Sequence, residues 1–276
     1  MAAYALPVLY ALALWWLGTG LILWLDGRPR RTFRWSLLGA SVLALAALLG
    51  LAASGGDASV GGSYLGFTCG LLLWAWHEVA FLMGYVTGSR REACSEGAVG
   101  WRRFVEASLA VLHHELAILA TAVLVVALTW GAPNQTGAWT FLLLWVMRLS
   151  AKLNLFLGVP NRAEALLTPH LGYLATYFAH KPINLLFPLS VTAATLAAGW
   201  LLQKATASEA EPFEAVGFTF LSALATLAVL EHWFLVLPLP DTALWGWALG
   251  GRKPAPAREP RSLLRTVCVP ASTEAT

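Results

Sequence analysis

The sequence predicts an all-α fold, a polytopic membrane bundle of about seven transmembrane helices with its N-terminus periplasmic and its C-terminus cytoplasmic. Hydrophobic residues make up 58% of the 276, and about two-thirds once the 24 glycines are included, against roughly half in soluble domains. Charged residues make up only 12%, about half of the roughly 25% usual in soluble proteins. The apolar residues gather into runs of the length a bilayer requires, about 20 per helix. These three observations leave no room for a large soluble catalytic module and argue against a nucleic-acid partner; membrane lipid is the principal contact. Cys69, Cys94 and Cys268 form no Cys-x-x-Cys pair, so structural zinc is not suggested.

Taken in order, the apolar runs place spans at Tyr4 to Leu25, Trp35 to Ala53, Tyr64 to Val86, Phe104 to Trp130, Gly137 to Leu157, Ile183 to Leu202 and Glu214 to Leu237. The first run has no basic flank before it and carries its arginines afterwards, so it reads as an anchor and not as a cleaved signal. Orientation follows from the basic residues, which collect on the cytoplasmic side of span ends. Setting Arg148 and Lys152 aside as intramembrane, 15 of the 16 remaining Lys and Arg fall in the first, third and fifth loops and the tail, and Lys204 is the exception. Trp130, Trp139 and Trp200 at outer ends and Trp24, Trp35 and Trp101 at inner ends suit the headgroup level.

Residues 1–249 form the transmembrane domain in this reading. Near 161–181, Asn161 and Glu164 stand in capping-box spacing, Thr168 and Pro169 are helix-start signals, and Leu171, Leu174 and Phe178 share a helical face. An amphipathic segment on the cytoplasmic surface is expected there. Pro238, Pro240 and Asp241 halt the last span, Thr242 to Leu249 restart a helix with Trp245 at the interface, and the Pro-, Ala- and Arg-rich tail, 250–276, reads as disordered.

Ionisable residues inside spans are costly and mark functional hypotheses. Here they are His77 and Glu78 in span three, His113, His114 and Glu115 in span four, Arg148 and Lys152 in span five, and Glu231 and His232 in span seven. Counting helical rise, they share one layer, central to slightly cytoplasmic. Gly66, Gly70, His77, Gly84 and Gly88 fall on one stripe of span three; Ala107, Ala110, His114, Ala117 and Thr121 line span four; Ser222, Ala225 and His232 line span seven. Small residues permit close helix approach, so His77, His114 and His232 point at neighbouring helices.

Three readings compete for this layer. Glu78, Glu115 and Glu231 neutralise Arg148 and Lys152 while the histidines bond across close-packed helices; or His77, His113, His114 and His232 ligate a metal or a tetrapyrrole such as haem; or the layer is a proton or substrate path. The adjacent His-Glu pairs match neither the Glu-x-x-His of di-iron bundles nor the His-Glu-x-x-His of zinc proteases. No Gly-x-Ser-x-Gly elbow, P-loop or Gly-x-Gly-x-x-Gly is present, and the chain reads as leaning non-enzymatic. His170 and His180 read as interfacial polar residues.

The run Gly137-Ala-Trp-Thr-Phe, the run from Met147 through Arg148, Lys152 and Asn154 to Pro160-Asn161, His170-Leu-Gly-Tyr-Leu, and the run from Leu230-Glu-His-Trp to Pro240-Asp241 closely resemble the PuhE family. His113-His-Glu115 and Trp15-Trp16 extend the resemblance over most of the chain to Leu249. It implies a multi-pass protein of the bacterial inner membrane, cytoplasmic or intracytoplasmic, encoded with reaction-centre genes. It also implies a role in assembling the photosynthetic complex and an effect on bacteriochlorophyll levels. Reaction-centre or light-harvesting subunits, or pigment-biosynthesis proteins, are the implied partners, and bacteriochlorophyll or haem the candidate cofactors. The family brings no established catalytic residues. The alternative is a haem- or metal-binding membrane oxidoreductase, or a pigment-modifying enzyme, using the same His/Glu layer.

Overall fold

A computed structural model describes residues 2–162, 167–237 and 244–249. It contains seven long helices: α1 Ala2–Asp26, α2 Phe33–Ser54, α3 Val60–Leu82, α4 Gly100–Leu128, α5 Thr136–Leu157, α6 Leu186–Ala205 and α7 Pro212–Phe234. All seven are long and apolar enough to cross a membrane, and the described residues contain no strand. In lipid every backbone polar group needs an internal partner, which a helix supplies within one segment. The six anchoring tryptophans of the sequence reading are all exposed, from 38% at Trp24 to 81% at Trp130.

α3 and α7 form the centre, with 56% and 50% of their apolar windows buried against 11–28% for the other five. Glycine sets the closest crossing, between α3 and α5: a Cβ on Gly70 would stand 2.6 Å from the Gly137 carbonyl oxygen, and one on Gly137 2.6 Å from that of Gly66. One apolar cluster joins Ala11 of α1, Phe67 of α3, and Phe220, Leu224 and Leu227 of α7, with Leu71 and Leu144 packed against it. Phe67 and Phe220 stack at 4.2 Å.

Three helices end earlier than the apolar runs suggest, α4 by two residues at Leu128. α3 stops at Leu82, not Val86, because Gly84 takes a left-handed φ of +79°. The N–H groups of Tyr85 and Val86 then fold back onto the Ala80 carbonyl at 2.9 and 3.0 Å, which closes the helix. α7 stops at Phe234, not Leu237. Gly84 and Gly88 therefore lie beyond the helix whose stripe they were expected to continue. Each still serves a close approach: Gly84 against the His170 ring, and Gly88 against α4, where a Cβ would meet the Leu109 carbonyl oxygen at 2.1 Å.

The segment after α3 runs back along α4, and the Thr87 carbonyl accepts a 2.8 Å bond from the His114 N–H. His114 is 14 residues into α4, about 21 Å along its axis. Non-helical backbone thus reaches well into the bundle, where burial in protein makes it tolerable. The ionisable layer accordingly lies closer to helix ends than expected, with His77 five residues from the end of α3 and His232 two from the end of α7.

The expected amphipathic helix is instead a run of 3-10 turns, Pro169–Tyr177. Its apolar side is a lid on the bundle: Leu171, Leu174 and Tyr177 are buried against Phe81, Ala98 and Ala110. Glu164 lies outside the described residues, and Asn161 caps the end of α7, its side chain donating to the Phe234 carbonyl at 2.8 Å. His170, expected at the interface, packs on Phe33 and its Nε2 bonds the Leu82 carbonyl at 2.8 Å. Beyond α7, a short helix, α8 (Gly246–Leu249), docks on α1. Trp245 is buried there, donating to the Trp16 carbonyl at 3.0 Å, and Trp247 lies over Gly20. Pro238, Pro240, Asp241 and the tail 250–276 lie outside the described residues.

Gly70→Ala should overpack the α3–α5 crossing by about 1–3 kcal/mol and lower the melting temperature in detergent, whereas Gly39→Ala, with nothing within 4 Å of the added Cβ, should not. Burial holds His170 below its ordinary pKa of 6.5. The unfolded chain therefore binds the proton first as pH falls, and stability should decline from about pH 6.5 downward. A His170→Gln variant should lose that part of the pH dependence of melting.

Candidate functional site

The ionisable residues of α3, α4, α5 and α7 form a chain of contacts across the bundle, and α5 is its backbone. Arg148 and Lys152 stand one helical turn apart and reach different partners. Arg148 Nη2 donates to Glu78 Oε2 of α3 at 3.1 Å, and Lys152 Nζ to Glu115 Oε1 of α4 at 2.6 Å. Trp145 Nε1 donates to the other Glu115 oxygen at 3.3 Å, and Lys152 lies 5.5 Å from the Phe81 ring. Glu231 of α7 accepts a 2.7 Å bond from Trp15 Nε1 of α1. Two of the three carboxylates are thus neutralised by the two cations, as charge pairing in an apolar medium requires.

The four histidines fall in three places. His77 and His114 are neighbours, with ring centroids 6.3 Å apart and each 1% exposed. His77 Nε2 bonds Thr121 Oγ1 at 3.0 Å. Its Nδ1, and both ring nitrogens of His114, are buried without a hydrogen-bond partner. His232 is engaged on both nitrogens: Nδ1 with the Ala228 carbonyl and Nε2 with Ser150, at 2.8 and 2.9 Å. Ser150 continues to Ser190 of α6, which also accepts from Asn154. His113 differs from its sequence neighbours, being exposed on the outer face of α4. It does not join the layer, because a step of one residue turns a helical side chain by about 100°.

Imidazole ligation of a tetrapyrrole requires space beside a free nitrogen. His114 has the free nitrogens but no space: Phe81 lies 4.4 Å away, ring to ring, and the residue is closed off. His77 borders a groove of about 280 Å³ on the outer side of α2, α3 and α4, lined by Leu45, Leu48, Leu73, Trp76 and Thr121. His77 is itself only 1% exposed and its free Nδ1 is buried, so the imidazole borders the groove without opening a nitrogen to it. Among the described residues no group of three His, Cys, Asp or Glu is arranged to hold a metal ion.

Several participants were not singled out in the sequence: Trp15 as a carboxylate donor, Trp145 on Glu115, Phe81 between Lys152 and His114, and the Ser150–Ser190–Asn154 group around His232. Ser150 and Asn154 alternate with Arg148 and Lys152 along one stretch of α5, a polar density within a span that marks them in retrospect.

Removing one member of a buried ion pair strands the other. Because Lys152 and Glu115 keep 21% and 23% side-chain exposure, Lys152→Ala should cost about 2 kcal/mol, discounted from the fully buried case. A Lys152→Met, Glu115→Leu double variant should recover most of that in thermal melts; additive losses would show that the pair does not act as a unit.

The family model described as "Protein of unknown function (DUF3623)" matches residues 1–256, and the chain belongs to that family. A protein of Rhodobacter capsulatus, named as an uncharacterized 30.4 kDa protein in the puhA 5′ region, is 39% identical over 248 residues, covering 88% of this chain and 90% of its own length. No solved structure matches.

Proposed function

We propose that this member of the DUF3623 family is an integral inner-membrane assembly factor for the bacterial photosynthetic apparatus, as the resemblance to the PuhE family implies. The observation that carries this reading is the Rhodobacter capsulatus relative, 39% identical over nearly the whole of both chains and named for its place in the puhA 5′ region. The distribution of basic residues supports an N-terminus in the periplasm and a C-terminus in the cytoplasm. The fold is consistent with a holding role. Its intramembrane carboxylates are each paired with a cation or an indole. Reaction-centre or light-harvesting subunits, or the proteins that deliver pigment, are the partners this reading assigns.

A pigment-handling role is the second reading, favoured by the groove that His77 borders and by its unpartnered Nδ1. In it His77 is the contact for bacteriochlorophyll or haem, and Trp76 and Leu73 bound the ring edge. The haem- or metal-dependent oxidoreductase reading requires the same groove.

Deleting the relative's gene in Rhodobacter capsulatus should reduce reaction-centre and light-harvesting absorption in membranes several-fold, and expressing this chain should restore it. Unchanged absorption in the deletion strain would overturn the assembly reading. Protein purified from phototrophic membranes in mild detergent should carry a tetrapyrrole band that His77→Ala diminishes and His113→Ala leaves intact. A colourless, metal-free wild-type protein would remove the pigment reading while leaving assembly untouched.

A further inference from the structure

We infer that the groove between α2, α3 and α4 binds a quinone, one of whose carbonyl oxygens accepts a hydrogen bond from the Thr121 hydroxyl. The argument begins with a count of hydrogens. His77 Nε2 and Thr121 Oγ1 stand 3.0 Å apart, and a neutral imidazole carries one N–H. His77 Nδ1 is buried without a partner. Buried N–H groups without an acceptor are rarer than acceptors short of a donor, so the ring hydrogen resides on Nε2 and is donated to Thr121. The Thr121 hydroxyl then keeps its own hydrogen to give.

A hydroxyl within a helix can return that hydrogen to the carbonyl one turn back. Thr68, Thr129, Thr140, Thr219 and Thr226 all do so, at 2.6 to 2.9 Å. Thr121 does not, and His77 is its one hydrogen-bond partner among the described residues. Thr121 lines the groove together with Ser41 and Trp76. Ser41 is fully committed: it donates to the Leu37 carbonyl at 2.8 Å and accepts from Trp76 Nε1 at 2.9 Å. The hydrogen left over at the groove is therefore that of Thr121, and an unpaired donor in an apolar medium is costly. What fills the groove has to bring an acceptor.

Charge, shape and depth select which acceptor. No charged side chain lines the groove, so a phosphate or an ammonium finds no counter-ion there. Its walls are leucines, Leu45, Leu48, Leu73 and Leu124, and the Trp76 indole, whose orientation Ser41 fixes. A volume of about 280 Å³ lies at the small end of ligand sites, roughly 300–1,000 Å³. It has room for a single ring whose tail continues into lipid, and not for a macrocycle. Thr121 precedes Trp130, exposed at the outer end of α4, by nine residues, about 14 Å of helix. Half of a hydrocarbon core is about 15 Å, so the hydroxyl lies near the bilayer midplane, well below the ester carbonyls of phospholipids at the headgroup boundary. A quinone is uncharged, flat and soluble in hydrocarbon, and it carries carbonyl acceptors to that depth. The inference does not rest on the assembly reading. It differs from the pigment reading in that the ligand is held by a hydroxyl and not by an imidazole nitrogen.

The test uses the full-length protein in phosphatidylglycerol nanodiscs, titrated with decylubiquinone carrying ¹³C at its carbonyls and followed by infrared difference spectroscopy against empty nanodiscs. The wild type should show a saturable carbonyl band at lower frequency than the quinone free in lipid. In Thr121→Val that band should vanish and saturation should need about three- to tenfold more quinone; Thr121→Ser should restore both. Thr121→Val also deprives His77 of its partner. Should it fail to melt cooperatively, Leu45→Trp fills the groove from an exposed position, leaves the His77–Thr121 bond in place and should abolish the saturable band. No saturable shifted band in the wild type, or one that persists in folded Thr121→Val or in Leu45→Trp, overturns the proposal. An ester-carbonyl band lowered in quinone-free nanodiscs and lost in Thr121→Val would assign the acceptor to phospholipid and overturn it equally. Neither pigment nor a photosynthetic subunit is present, so failure here leaves the two functional readings standing.

Discussion

A charge inside a bilayer must be paired or wet, and the arrangement of this bundle follows from how that requirement is met. α5 carries both intramembrane cations, one turn apart, and directs them to different neighbours, Arg148 to α3 and Lys152 to α4. The two pairs tie α3 and α4 to a common element at fixed register, because a helix that slid by one turn would strand two charges at once. The α3–α5 crossing is closest where Gly66, Gly70 and Gly137 meet. Apolar contact alone distinguishes poorly between neighbouring helices in lipid, so the polar layer is where specificity of packing enters.

The same layer lies beside departures from regular helix. α3 and α7 stop short, and at the arginine-bearing end the segment around Thr87 to Arg90 bonds to α4, the 3-10 turns at Pro169–Tyr177 cover Phe81 and Ala110, and α8 docks on α1. The freed backbone groups are satisfied by specific partners, among them Thr87 with His114 and Asn161 with the end of α7. Arg103, 5% exposed, donates to the carbonyls of Phe156 and Tyr177 at 2.8 and 2.5 Å and so fastens this lid to α4 and α5. Irregular backbone at membrane depth is found where it is buried in protein or lines a cavity, and here it is buried against α4 around His114.

Much of this was legible in advance for reasons that can be named. Each span is a run of about 20 apolar residues bounded by arginines, prolines or glycines, a signal set by bilayer thickness and independent of partners. The inward placement of His77, His114 and His232 followed from small residues on the same faces, and their burial agrees. The early end of α3 was not legible, since Gly84 and Gly88 also fit a continued stripe and only the left-handed turn at Gly84 separates the two readings. His113 was grouped with its neighbours by adjacency, although helical rotation turns it outward. The segment at Pro169–Tyr177 shows the amphipathic face the sequence predicts, but the face covers other protein instead of lying on lipid.

The sequence by itself determined that this is a seven-helix membrane protein with a layer of nine ionisable residues deep inside its spans, because hydropathy over a bilayer-length window is a local property of the chain. Which of those residues meet was decided by the tertiary structure. Pairing depends on helix rotation, tilt and the point at which each helix stops, and these are set jointly by neighbours far away in the chain. Arg148 chose Glu78 and Lys152 chose Glu115 through such contacts, and Glu231 took the Trp15 indole as its partner. That partnership has no signature in the order of the amino acids; it exists only once α1 and α7 are placed side by side.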